Sequence, residues 1–267
     1  MPALTKRSHW DDHARQWSRI ASPLRPHADD EGNVRRALGN SGGLHLLLGV
    51  TPEYARMFDR VVAVDRSAAM IGALWQGDVS GKDAIQADWM HLPLRERSFD
   101  ACIGDGCLNF FSCPSQYGLF FHQVQRVLRS GGRFALRIFI RPDAGETCAA
   151  VCEHAMRAGI GSFHAFKWRL AMAIAAESGD SNVRVADIRD VFMTLLPERE
   201  QLAAASGWSA EAIATIDAYR DSVESYSFPT LAEVRGALPL TLAEVDLAYG
   251  SYELSECCPM FVLEARK

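Results

Sequence analysis

Three acids stand at the ends of short apolar runs. Asp65 closes Val61-Val62-Ala63-Val64, Asp105 follows Ala101-Cys102-Ile103-Gly104, and Asp88 follows the run 83–87. Ahead of them, Leu44-His45-Leu46-Leu47-Leu48 leads into the turn Gly49-Val50-Thr51-Pro52-Glu53, and Asp65 lies sixteen residues after Gly49. An open parallel sheet binds nucleosides at the carboxyl ends of its strands. There a strand-end carboxylate can accept hydrogen bonds from both ribose hydroxyls while a turn backbone approaches the other end of the ligand. Trp89, beside Asp88, offers a flat ring to line an adenine pocket. Each acid also has a plainer role: Asp65 could cap a helix starting near Ser67, and Asp88 and Asp105 could be ordinary turn residues. The agreement of independent spacings carries the binding reading.

Such acids are useful only if the strands lie side by side, and the surrounding pattern supplies that arrangement. Strands are expected at 44–48, 61–65, 83–87, 99–104 and 133–140, with helices at 52–59, 67–76 and 115–129 between them. This alternation predicts a parallel sheet covered by helices. From about Pro142 to Pro229 the pattern is helical, with pieces at 145–158, 163–177, 184–195, 198–206 and 210–223. Strands return at 242–249 and 258–265 with no crossover helix between them, so they are expected to pair antiparallel. Before the sheet, Trp10, His13, Trp17 and Ile20 recur at three- and four-residue spacing, the mark of one helix face. Four segments follow: a helical cap at 1–28, a binding core at 29–141, a helical insertion at 142–228 and a return to the sheet at 229–267. Connections as long as the insertion are usually functional.

The chain has 267 residues and a formal net charge of -5. That balance argues against a general nucleic-acid binder, which needs a basic field. No run approaches the roughly 18 apolar residues of a membrane span, and no signal region opens the chain, so a cytoplasmic protein is expected. The seven cysteines show no zinc-finger spacing. They read as buried thiols, and no metal is implied.

Taken together, Asp65, the Asp88-Trp89 pair, Ser98-Phe99-Asp100, the turn Leu128-Arg129-Ser130-Gly131-Gly132-Arg133 and the strand order resemble class I S-adenosylmethionine-dependent methyltransferases. The segments Leu48-Gly49-Val50-Thr51-Pro52-Glu53 and Gly104-Asp105-Gly106 resemble one bacterial branch of that family. The resemblance implies a Rossmann-like fold with a mostly parallel seven-stranded sheet and a terminal antiparallel hairpin. It implies S-adenosyl-L-methionine as cofactor, held by Gly49, Thr51, Asp65, Arg66, Asp88, Trp89 and Asp105. The first motif departs from the family's pattern of an Asp followed by Gly-x-Gly-x-Gly. Leu47 stands at the Asp, Thr51 at the second Gly and Glu53 at the third. Asp105 is the natural replacement acid, and Glu53 could orient the turn.

Methyl transfer from a sulfonium is an in-line displacement that needs alignment and exclusion of water. A base is required only if the nucleophile must lose a proton, and the candidates are Asp105, His13 and His164. Substrate contacts are expected from Trp10, Trp17 and Arg25 near the N-terminus, from Arg137 at the end of the fifth strand, and from Tyr252. An arginine in an apolar strand is costly unless paired. Arg137 therefore either meets an internal acid such as Asp105 or binds an anionic substrate. The reading is a methyltransferase acting on a small molecule, with oligomeric state open. The alternative is a cofactor-binding but non-catalytic partner or regulator. A nicotinamide-dependent oxidoreductase is disfavoured because Gly-x-Gly-x-x-Gly is absent.

Overall fold

The computed structural model describes residues 17, 20–39, 42–75 and 81–266. The cap candidates Trp10 and His13 lie outside the described residues. Nine strands are present among the described residues: β1 (His45–Leu48), β2 (Val61–Asp65), β3 (Lys82–Gln86), β4 (Phe99–Asp105), β5 (Leu128–Arg137), β6 (Asn182–Arg184), β7 (Ser225–Ser227), β8 (Leu242–Ala248) and β9 (Met260–Ala265). Seven of them form one sheet in the order β3-β2-β1-β4-β5-β9-β8. The first five run parallel, and β9 pairs antiparallel with both β5 and β8. This is the parallel sheet expected from the alternation and the Rossmann-like fold that the resemblance implies, with the terminal hairpin in its expected place.

The local reasons are ordinary. Every residue of β1 is buried, as a central strand covered on both faces requires. The helices are α1 (Ala28–Leu38), α2 (Pro52–Ala55), α3 (Ala68–Leu74) and α4 (Tyr117–Val127), then α5 (Cys148–Met156), α6 (Phe163–Ser178), α7 (Val185–Leu195), α8 (Arg199–Ser206), α9 (Ala210–Ala214) and α10 (Leu231–Gly236). Helix α4 buries Tyr117, Phe120, Phe121, Val124 and Val127, which share one face at helical spacing. Helix α1 starts in a capping box, with the His27 ring accepting from Asp29 N and Asp30 accepting from His27 N at 2.8 Å. Asp30 is thereby fixed, and both of its oxygens accept from further residues.

Three apolar clusters hold the molecule together. Phe120, Phe121, Phe134 and Phe261 fill one face of the sheet, and Val34, Tyr54, Ala63 and Ile103 the other. The third cluster belongs to α5–α9 and is built on Phe163, Phe166, Phe192 and Trp208. It extends to Phe139, Leu254 and Cys258 above the sheet edge. Two details differ from the sequence reading. Helix α2 is one turn rather than two, and the helical stretch contains the short antiparallel pair β6–β7, too brief to show a period. All seven cysteines are buried and free. Cys258, expected to open the last strand, precedes β9, and Cys257 lies in a 3-10 turn. No helix among the described residues is long and apolar enough to cross a membrane. Among the same residues, no group of three or more His, Cys, Asp or Glu is placed to hold a metal.

Candidate active site

Strand β1 ends at Gly49, whose φ of 99° is one that L side chains rarely adopt. The turn then places Thr51 as the cap residue of α2, with Pro52 at its first position. Beside it β2 delivers Asp65, β3 leads to Trp89, and β4 delivers Asp105 and Gly106. A cleft opens over these strand ends, with about 970 Å³ of empty space counting its mouth. Gly49, Thr51, Asp65, Arg66, Trp89 and Asp105 line its sheet side, with Met70 and Leu74 of α3. Phe110, Phe139, Trp168, Tyr219 and Tyr226 line its far side, and Trp17 and Leu24 complete the wall.

The Asp65 carboxylate is 8% exposed and accepts from Ser67 N at 2.8 Å. Burial pushes its pKa up to about 6, against the Ser67 N–H and the nearby Arg66 charge, which hold it down. It is thus a half-satisfied acid facing a cavity, suited to ligand donors. Trp89 is fixed by its indole N–H, which donates to Val64 O at 2.6 Å. Asp88 is not among the cleft residues. Its side chain is exposed and accepts from Met90 N at 2.9 Å, capping the 3-10 turn Trp89–His91.

Asp105 does not stand alone. Arg137 Nε donates to its Oδ1 at 2.6 Å, and Arg137 Nη1 donates to Asp30 Oδ2 at 3.1 Å. Tyr252 closes the network, its hydroxyl donating to Asp30 Oδ1 at 3.0 Å. Burial works against the Arg137 charge, yet the carboxylates of Asp105 and Asp30 hold its pKa above the ordinary arginine range. Arg137 is fully buried, and this corrects its place among the substrate contacts. A guanidinium in an apolar strand needs internal counter-charges, and it has two. Tyr252 belongs to the same network and is likewise not among the cleft residues. Arg25 is another correction: its Nε donates to Glu53 Oε1 at 2.5 Å, and its guanidinium lies 5.6 Å from the centre of the Trp17 ring. Glu53, at the third glycine position of the usual motif, therefore points away from the cleft and is 4% exposed. Thr51 does the opposite and faces it. His164 is buried in α6 and does not line the cleft, so the structure gives no support to a role in proton transfer there.

Sequence reasoning missed Asn109. Its side-chain amide donates to Phe139 O at 2.7 Å and Ser227 O at 2.6 Å and accepts from Phe139 N at 3.0 Å. This buried residue ties β4 to the end of β5 and to β7, and so sets the angle of the aromatic wall. Its neighbour Phe110 and the distant Tyr226 were missed too. The only local signal was the dipeptide Asn109-Phe110 just after a strand-end acid. Gly106 is the close approach that lets this wall in: with φ at 60°, a Cβ there would lie 2.6 Å from the Phe139 ring.

The fold and the strand-end site together define a Rossmann-like methyltransferase architecture. Residues 48–136 match the family model of the methyltransferase domain. Solved structures with the same fold include the N-methyltransferase NodS from Bradyrhizobium japonicum WM9 in complex with S-adenosyl-L-homocysteine. It is 12% identical with a TM-score of 0.54, over 98% of this chain and 100% of that one. A 1,6-didemethyltoxoflavin-N1-methyltransferase from Burkholderia thailandensis, with its substrate and S-adenosylhomocysteine bound, is 13% identical with a TM-score of 0.51, over 97% and 86% of the two chains. A Rhodobacter sphaeroides protein provisionally described as a Zn-dependent alcohol dehydrogenase is 13% identical with a TM-score of 0.61, over 97% of each chain. At these identities the likeness is one of fold. No curated protein sequence matches the chain.

Proposed function

We propose that this protein transfers a methyl group from S-adenosyl-L-methionine to a small molecule. The observation that carries the reading is a single cleft with two unlike sides, the strand-end acids and turn on one and an aromatic wall from a separate helical layer on the other. The cofactor would supply an electrophilic methyl on a sulfonium. Asp65 would accept hydrogen bonds from its ribose hydroxyls, and Trp89, Met70 and Leu74 would line the adenine. Gly49 and Thr51 would border its amino-acid part. Asp105, fixed by Arg137, would face that part as the acid that Leu47 cannot be. The helical layer would cover the reacting atoms and exclude water, which a displacement at carbon benefits from. NodS and the toxoflavin enzyme, which share the fold, are named for N-methylation, and this is consistent with an acceptor that needs no protein-sized groove.

The test is calorimetric titration with S-adenosylhomocysteine alongside thermal melting. Binding should raise the melting temperature by mass action, since the ligand binds only the native state. Asp65→Ala should weaken it by roughly 1–3 kcal/mol, the scale of lost hydrogen bonds to a charged group. Absence of any binding by the wild-type chain would overturn the reading in favour of a fold retained without its cofactor.

A further inference from the structure

The far side of the cleft has a chemistry of its own. Its rings form a continuous chain. Trp89 lies 6.2 Å from Phe110, Phe110 5.6 Å from Tyr226, Tyr226 5.4 Å from Trp168, and Trp168 5.3 Å from Phe139, centre to centre. The wall thus runs unbroken from the sheet side into the helical layer. Two of the polar groups near it are already engaged, while the buried Trp168 indole N–H has no hydrogen-bond partner among the described residues. The Asn109 amide is held by Phe139 and Ser227, and Asp105 by Arg137. Among the described residues lining the far side there is no carboxylate, histidine or lysine. Its titratable groups are Tyr219 and Tyr226, and burial pushes both phenols above their ordinary range. Neither can take a proton near neutral pH.

Resting on the methyl-transfer reading of this cleft, we propose that the methyl acceptor is a planar, uncharged aromatic ring system. Its nucleophilic atom carries a free lone pair before it binds, as a pyridine-type ring nitrogen does. A flat ring gains from edge and face contacts with a wall of this kind. An acceptor with its own carboxylate or ammonium would lose hydration without finding a counter-charge there. In the transfer, the acceptor lone pair forms a bond to the methyl carbon. The sulfur–carbon bond breaks, its electron pair stays on sulfur, and the acceptor takes up the positive charge. No proton has to move, which suits a wall without a base.

Three probes of similar size decide this by calorimetry at pH 7.5, each with and without saturating S-adenosylhomocysteine. Quinoline is flat and neutral, 2-decalone is neutral but not flat, and quinoline-4-carboxylate is flat but anionic. Quinoline should bind at least about tenfold tighter than either of the others, the scale of a good aromatic contact. Phe110→Leu, which keeps apolar bulk and removes a ring, should weaken quinoline several-fold while leaving S-adenosylhomocysteine unchanged. Equal or tighter binding of 2-decalone or of the carboxylate would overturn the proposal. So would failure of quinoline to bind at millimolar concentration in protein that binds S-adenosylhomocysteine. Because quinoline is also titrated alone, loss of cofactor binding would sink the methyltransferase reading and still leave the ring preference measured.

Discussion

Arg137 and Lys167 are both buried cations, one in the sheet and one in the helical layer, and their surroundings are opposite. Arg137 sits between the carboxylates of Asp105 and Asp30, with the Tyr252 hydroxyl 3.4 Å from Nη1. Lys167 has the Thr215 hydroxyl at 3.2 Å and the faces of Tyr219 and Phe163 at 5.2 and 5.7 Å. No carboxylate lies within ion-pair distance of it among the described residues. Burial pulls its pKa down to about 7. The sheet side of the cleft therefore keeps its charges by pairing them, and the helical side by weakening them. Pairing places a fixed carboxylate on the sheet side of the cleft, whereas the far side is left an apolar, charge-poor wall.

The largest expected effect comes from breaking the paired side. Arg137→Met leaves Asp105 and Asp30 buried without their cation and should destabilise the fold by about 3–5 kcal/mol, read from denaturant unfolding. A loss below about 1 kcal/mol would mean that the carboxylates simply take up protons. The matching change on the other side should have the opposite sign. A lysine whose folded pKa lies below its unfolded value binds more protons when unfolded between about pH 7 and 10.5. Its cost to stability is therefore full below pH 7 and fades as pH rises. Lys167→Met should stabilise the protein at pH 7 by on the order of 2–4 kcal/mol, and the gain should shrink toward pH 10. A variant less stable than wild type at pH 7 would show that the ammonium is compensated after all.

Asp65 sharpens the comparison within the sheet side, because it is an acid without a cation of its own in close contact. With its pKa at about 6, the free protein holds it mostly protonated at pH 5. Ribose hydroxyls favour the ionised form, so affinity for S-adenosylhomocysteine should rise up to about tenfold from pH 5 to 7.5 and then level off. Asp65→Asn should bind more weakly and without that slope. A wild-type affinity flat across this range would remove Asp65 from the ribose. The smallest effect belongs to the bridge between the two sides, Arg66 to Glu224 at 3.1 Å. Both side chains are substantially exposed, so Arg66→Ala should change stability by no more than about 0.5 kcal/mol in a thermal melt. A larger loss would mean that this pair, rather than Asn109 and the apolar contacts, fastens the helical layer.

Much of the sheet side was legible in the sequence because its signals are local. A strand, a turn and a following acid occupy consecutive residues, and the period of the apolar runs marks which are strands. Gly49, Thr51, Asp65, Arg66, Trp89 and Asp105 duly meet at one cleft. Asp88, Arg25, Arg137, Tyr252 and His164 do not line it, and for most of them the reason is a partner far away in the chain. Arg25 is taken by Glu53, and Tyr252 and Arg137 by Asp30. The number of charges was readable in the sequence, but their pairing was not.

By itself the sequence determined the alternation of strands and helices, the antiparallel ending and the acids at the carboxyl ends, since these follow from the spacing of neighbouring residues. Only the tertiary structure decided what faces the cleft and what is hidden. Strand order β3-β2-β1-β4-β5-β9-β8 sets β4 beside β5, so Asp105 meets Arg137, and α1 then brings Asp30 to the same guanidinium. The β6–β7 pair and Asn109 bring Tyr226 against Phe110 across more than a hundred residues. Burial is the physical reason in both places. A buried charge must find a counter-charge and a buried amide its hydrogen bonds, and which residues can supply them depends on where the chain folds back.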